Sequence, residues 1–220
     1  AVSTVHRVLQ PAIRFTKEEC LDLPDMVYVK RQVALTPMQK KYYDRLKAMM
    51  VMEASGEMVT SVNAAVNMNK LLQISCGAVY TDEGAALEFD ISHRYSVLRE
   101  VIDESSQKVL VFVPFRHTIT ILADKLRADG IPTEIINGSV PVNQRTDIFK
   151  RFQTQKDPRV LVIQPQAAAH GVTLTAANTV VWWGPTSSLE TYAQANARVH
   201  RSGQKHRCTV VQLAGSPVEK

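Results

Sequence analysis

KVLVFV (108–113) and RVLVI (159–163) are runs of aliphatic and β-branched residues with no polar residue interrupting the apolar core of either run. A strand with one wet face alternates apolar with polar residues, so an unbroken run reads as a strand covered on both faces. Strands covered on both faces belong to parallel sheets, whose crossovers carry helices. TVVWW (179–183) and CTVVQL (208–213) repeat the pattern, and TEII (133–136) is a shorter candidate. Helical periodicity fills the gaps. TITILADKLRADG repeats Ile119, Leu122, Ala123 and Leu126 and stops at Gly130. PVNQRTDIFKRF repeats Val142, Arg145, Ile148, Phe149 and Phe152, with Pro141 at an allowed first-turn position. From residue 91 onward this alternation predicts an α/β fold, a parallel sheet flanked by helices. Ligands of such sheets sit in the loops at the carboxyl ends of the strands.

The first 90 residues follow another pattern. VYVKRQVAL places Val27, Val29, Val33 and Leu35 on one side and predicts a half-exposed strand. TPMQKKYYDRLKAMMVMEA spaces Met38, Tyr42, Leu46 and Met49 as the buried stripe of a helix, and VNAAVNMNKLLQIS predicts a second one. The methionines read as gap-filling core. The expected organisation is a linker over 1–26, a strand plus helical insertion over 27–90, and an α/β lobe over 91–220.

Composition narrows the function classes. With 220 residues, 45% hydrophobic and 21% charged, the chain can bury a core and is not of the disordered class. A net charge of +5 suits an anionic partner such as nucleic acid. No apolar run approaches the roughly 18 residues of a membrane span, and no signal peptide opens the chain, so no membrane partner is expected. Cys20, Cys76 and Cys208 are far apart and form no C-x-x-C pair, and the six histidines do not cluster with them. No metal site is expected from them.

QANARVHRSGQ (194–204) carries the chemistry. Ser187-Ser188-Leu189-Glu190 is an S-x-x-E capping box, and Gly203 stands where a helix stops. A helix over this stretch puts Leu189, Tyr192, Ala193, Asn196, Val199 and His200 on one face, with His200 a packed histidine. Gln194, Arg198 and Arg201 fall on the opposite face. That face has two guanidinium forks and no carboxylate, so it demands an anion from elsewhere. Spacing alone favours a merely solvated face, the usual place of two arginines on a helix.

Four segments together resemble the second motor lobe of helicase superfamily 2, in its Swi/Snf-type double-stranded DNA translocase branch. RFTKEECLDLPDMVY is similar to the segment leaving the first lobe, and LTPMQKKYYDRL and LLQISCGAVY resemble the helical insertion. KVLVFVPFRHT resembles motif IV, NGSVPVNQRTDIFKRF the glycine-led helix after it, and VLVIQPQAAAHGVTLTAANTVVWW motif V. QANARVHRSGQ matches motif VI, Q-A-x-x-R-x-H-R-x-G-Q, at every fixed position. The resemblance implies a RecA-like lobe that faces a first RecA-like lobe of the same protein across ATP. It implies Arg201 as arginine finger on the γ-phosphate, Arg198 as its companion, and Gln194, Gly171 and Thr173 as support of the ATP site. DNA phosphates are implied at Arg116, His117, Thr118, Gly138, Ser139 and Gln166. Motif V departs from the family's S-T-R-A-G-G-x-G-x-N-L-T: Gln166 stands for the arginine and Thr173 for the asparagine, while Gly171 and Leu174-Thr175 remain.

The chain has no G-x-x-x-x-G-K-[ST] loop and no Gly-Lys pair. Asp82-Glu83-Gly84 reads as a turn and Asp103-Glu104 as a helix end, not as Mg²⁺-holding carboxylates. ATP and Mg²⁺ are therefore expected to be held mainly by a first lobe missing from this chain. The expected partners are double-stranded DNA and that lobe. The compact chain, with few insertions, suggests a bacterial or phage-infected cell and a cytoplasmic, nucleoid-associated place. A different class stays open beside this one: a non-catalytic basic DNA-binding module on an inherited helicase-lobe fold.

Overall fold

Alternate residues of one apolar run feed two different cores, and this sets the architecture. In the computed structural model, which describes residues 22–56, 61–81, 84–168 and 171–219, the apolar runs form one six-stranded sheet. Its strands are β1 (Met26–Gln32), β4 (Lys108–Phe112), β5 (Thr133–Ile136), β6 (Val160–Ile163), β7 (Ala177–Trp182) and β8 (Cys208–Ala214), in the order β1-β8-β7-β4-β6-β5. Every neighbouring pair is parallel. The remaining elements are helices α1 (Pro37–Gly56), α2 (Ser61–Cys76), α3 (Ser92–Glu104), α4 (Arg116–Ala128), α5 (Val142–Thr154) and α6 (Leu189–Asn196), and a hairpin of β2 (Ala78–Tyr80) and β3 (Ala86–Glu88).

Successive strand residues point to opposite faces. Val109, Val111 and Val113 therefore meet Leu98 and Ile102 of α3 and Ile119, Leu122 and Leu126 of α4. Leu110 and Phe112 face the other way, into Ile148, Phe149 and Phe152 of α5 and Ala195 of α6. The sheet is covered on both faces, as the unbroken runs require. Each large side chain buried in these layers contributes about 1.5–3 kcal/mol by leaving water. The loops leaving β4 and β7, which are neighbours, turn to opposite faces at the carboxyl end of the sheet, the place where ligands of such sheets bind.

β1 is one of the two edge strands, half exposed along its length, and pairs only with β8 among the described strands. The third apolar cluster joins α1, α2 and the hairpin through Tyr43, Leu71, Ile74 and Phe89. The chain leaving β8 ties this cluster to the sheet. Glu219, with its side chain wholly buried, receives two bonds from Arg94 at 2.7 and 2.8 Å. It also receives the Gly215 and Ser216 amides, and Ser75 donates to Ser216 at 2.9 Å. Arg94 in addition donates to the Trp183 carbonyl.

Three sequence expectations are corrected. The buried stripe of α1 is Gln39 and Tyr43, with Leu46 and Met50 beside it, while Met38 and Met49 are about half exposed. Gln39 can be interior because its amide donates to the Ile74 carbonyl at 2.9 Å and its oxygen receives the Thr36 amide. Val142 is 76% exposed and Pro141 caps α5 from outside its first turn. Finally, α6 ends at Asn196 rather than near Gly203, and Leu189 is 81% exposed rather than facing the core. Asp103 and Glu104 do lie at the end of α3. Asp82 and Glu83, expected as a turn, lie outside the described residues.

Candidate functional site

α6 is short because two residues claim its ends. Ser188, not Ser187, is the N-cap: its Oγ accepts from Thr191 N at 3.1 Å. Glu190 does not reach back to the cap. It accepts from Gln194 Nε2 at 2.8 Å, so Gln194 is exposed and occupied by its own helix neighbour. At the other end the buried Asn196 accepts from Trp182 Nε1 at 3.1 Å, beside the ring series Phe112, Trp182 and Tyr192. Beyond it the backbone tightens, with Arg198 N bonded to Ala195 O and Val199 N to Asn196 O. Gly203, at φ +94°, takes the left-handed turn that a side chain would resist.

Arg198 and Arg201 thus lie in turns after the helix. Val199 between them is fully buried, and both arginines are half-buried. His200, expected as a packed histidine, is half-buried with Nε2 2.7 Å from the Pro24 carbonyl. The motif V loop holds the arginine turn: Leu174 N donates to Arg198 O at 2.8 Å, and Arg201 Nη1 approaches Val172 O at 3.4 Å. Among the described residues Arg201 makes no ion pair. The Arg198 guanidinium is held below the usual arginine range, first by burial and second by the like charge of Arg201. Two cations side by side in a partly dry place are a standing cost that an anion would relieve.

The loop from Gln164 to Ala176 begins at the carboxyl end of β6, where Gln164 Oε1 accepts from Gly138 N at 3.4 Å. Gln166 is exposed on the 3₁₀ turn Pro165–Ala168, and Ala169 and His170 lie outside the described residues. Gly171 has φ +40°, and its exposed backbone is free to be approached closely. Thr173 is exposed beside the buried Leu174.

Because β4, β6 and β5 are successive neighbours, Arg116, Gln166 and Gly138-Ser139 stand at adjacent carboxyl ends. Arg116 is exposed at the first residue of α4. His117 is engaged by the hairpin: Nε2 meets Glu88 Oε1 at 2.6 Å, and its amide donates to Tyr80 OH at 3.3 Å. Thr118 is buried at 0% exposure with its hydroxyl unpaired among the described residues, so only its backbone amide is at the helix end. Ser139 donates through N and Oγ to Asn137 Oδ1, at 3.0 and 2.7 Å, which makes it a turn residue and not a helix cap. The structure brings the three loops together and sets the arginine turn against the later half of the motif V loop.

Two residues escaped the sequence reading. Gln204 is 6% exposed and bonded through both ends of its amide. Its only signal was its place as the last fixed letter of motif VI. Arg94 gave none, because an arginine in the first turn of a helix reads as solvated. Among the described residues no group of three or more His, Cys, Asp or Glu side chains could hold a metal ion. No described helix is long and apolar enough to cross a membrane.

Comparison with known proteins fits this geometry. The family described as helicase conserved C-terminal domain matches residues 93–203. The chromodomain-helicase-DNA-binding protein 1-like of Danio rerio is 28% identical over 97% of this chain and 22% of its own length. Nuclear protein STH1/NPS1 of Saccharomyces cerevisiae is 26% identical over 96% of this chain and 17% of its own. The chain thus spans about a fifth of these curated relatives. Among solved structures, the C-terminal part of the Fun30 ATPase domain superposes with a TM-score of 0.73 at 16% identity, covering 89% of this chain and 87% of that one. The Sulfolobus solfataricus SWI2/SNF2 ATPase core in complex with dsDNA gives 0.69 at 21% identity, over 97% of this chain and 47% of that one. These relatives overturn the expectation of a bacterial or phage-infected, cytoplasmic setting: they include a fish chromodomain helicase and a yeast protein named as nuclear. Compactness misled because it is a property of the packed lobe, shared by a piece of a long chain, and says nothing of the host. The chain belongs to the helicase conserved C-terminal domain family, as a RecA-like C-terminal lobe of the Swi/Snf type.

Proposed function

We propose that this lobe serves an ATP-dependent double-stranded DNA translocase, with Arg201 as the arginine finger and Arg198 as its companion. The observation that carries the reading is the arginine turn itself. Two guanidinium groups share one partly dry place, and the burial and mutual repulsion of that place favour an incoming phosphate. Bound ATP with Mg²⁺ supplies that phosphate and the bond to be broken; the donors on this chain suit the phosphate, whereas the metal needs carboxylates from elsewhere. Arg201 meets the γ-phosphate with a fixed fork of N–H donors and never loses its charge. Arg198 neutralises the same region, and the exposed backbone of Gly171, with Thr173 and Gln194 nearby in sequence to the same two motifs, supports the site.

The DNA backbone would run over the neighbouring carboxyl-end loops at Arg116, His117, Thr118, Gly138, Ser139 and Gln166. Arg116 supplies charge, Gly138 and Thr118 supply backbone amides, and Gln166 supplies an uncharged amide where the family has an arginine. The DNA-bound Sulfolobus neighbour supports a duplex partner. In the full-length protein Arg201→Ala and Arg198→Ala should each lower DNA-stimulated kcat by roughly 10²-fold or more, a floor set below the roughly 10³–10⁵ that arginine fingers contribute. Arg201→Lys should recover little, since a point charge cannot make the forked contact. Near-normal turnover at either position would mean that the face carrying the two arginines is simply solvated, whereas a wild-type protein with no DNA-stimulated turnover would leave the non-catalytic DNA-binding module as the function.

A further inference from the structure

Gln204 is the fixed residue of motif VI to which the reading above gives no task, and its surroundings supply one. We propose that Gln204 is the positioning residue for Arg201 and Arg198, a staple that fixes the turn carrying both against the entry of β7. The proposal rests on the arginines being the phosphate-facing groups.

Every hydrogen-bonding capacity of the side-chain amide is used. Nε2 donates to Ala177 O at 2.9 Å and Val199 O at 3.1 Å, with Thr175 O at 3.4 Å. Oε1 accepts from Lys205 N at 3.0 Å and His206 N at 2.9 Å. The backbone amide donates to Arg201 O at 3.0 Å. An amide has two N–H donors and two acceptor lone pairs, and no other side chain of this size carries both. The carbonyls belong to three places that must be held in register. Val199 lies between the two arginines, Thr175 lies in the same loop whose Val172 and Leu174 touch Arg201 and Arg198, and Ala177 opens β7 directly after that loop. Beyond Asn196 the turn keeps a few backbone bonds of its own, such as Arg198 N to Ala195 O and His200 N to Asn196 O, but no continuous helical ladder. Gln204 replaces that ladder with a buried crosslink.

The chemistry makes such a crosslink matter. Phosphoryl transfer relies on placement of charge, and a misplacement of about 1 Å costs on the order of 10²-fold in rate. Gln204→Ala removes both ends of the staple. Gln204→Glu keeps the volume and the acceptor end but sets a carboxylate against the carbonyls.

The test is a double-mutant cycle in the full-length protein, reading DNA-stimulated kcat and KM for ATP. Gln204→Ala and Gln204→Glu are each made with Arg201 intact and with Arg201→Ala. With Arg201 intact, both variants should lose about tenfold or more in kcat, with KM for ATP changed by less than about threefold. In the Arg201→Ala background they should cost clearly less, because only the placement of Arg198 is then left to lose and residues acting through one another are not additive. Near-normal kcat in either Gln204 variant would overturn the proposal. So would an equal fold loss in both backgrounds, which is the mark of general destabilisation. Arg201→Ala alone reports separately on the arginine-finger reading: if it is near normal, that reading falls and takes this role with it.

Discussion

Cys76 shows how a single buried atom links packing to pH. Its thiol is fully buried at the end of α2, and the Sγ lies so close to Gly184 that a Cβ there would clash at 2.5 Å. Burial pushes the thiol up to about 12, with the Arg94 charge partly opposing and Glu219 reinforcing the rise. An unfolded thiol ionises near about 8.5. Between those values the folded chain holds a proton that the unfolded chain has lost, so stability is complete below the lower value and falls as pH rises through the window. The urea midpoint should therefore decline from pH 8.5 to 10 more steeply in the wild type than in Cys76→Ala. Equal slopes would mean that the thiol ionises freely in the fold. At this scale the sequence was least legible. Nothing in the letters around Arg94 or Gln204 distinguishes an interior arginine or amide from a wet one, because the partners that bury them include backbone groups and a carboxylate brought from distant parts of the chain.

At the scale of elements, type and order were legible and ends were not. The runs 108–113, 159–163, 179–183 and 208–213 became β4, β6, β7 and β8 because apolar runs without alternation have no other stable place in a chain of this length. The α1 stripe was read one position out. Methionine and glutamine have similar length, and the choice between them depended on the Ile74 and Thr36 backbone groups that Gln39 satisfies. The α6 cap was likewise ambiguous, since two serines adjoin. The structure decides between them and yields a sharp expectation. Ser188→Ala should destabilise the chain by about 1 kcal/mol through the lost bond to Thr191 N, whereas Ser187→Ala should stay within about 0.5 kcal/mol. Urea unfolding of the two variants compares them directly, and reversed ranks would return the cap to Ser187. The opposite end matters for function, because the helix stops at Asn196 and leaves the arginines on turns that tertiary bonds must hold.

Across the whole molecule, strand order explains why the proposed DNA contacts converge although they are distant in sequence. Arg116, Gln166 and Gly138 follow β4, β6 and β5, which are consecutive in the sheet and end on the same edge. Sequence located the loops, through the rule that parallel sheets bind at their carboxyl ends, but not the competition for their side chains. His117 is engaged by Glu88, and the Thr118 hydroxyl is turned inward. The edge that remains offers one exposed arginine and several uncharged donors, on a chain whose net charge is +5. Phosphate contacts of this kind position a duplex without reading its bases. The 220-residue chain alone should thus bind duplex DNA weakly, at no better than the roughly 10⁻⁴–10⁻⁶ M of non-specific complexes, and equally for random and defined sequences. The salt slope should be shallow in proportion, since each neutralised phosphate contributes only about −0.9 to it, and Arg116→Ala should reduce it by roughly that amount. Fluorescence anisotropy titrations at two salt concentrations measure all three quantities. Strong preference for one duplex sequence would show that the lobe reads bases, and an unchanged slope in Arg116→Ala would move the track away from the end of β4.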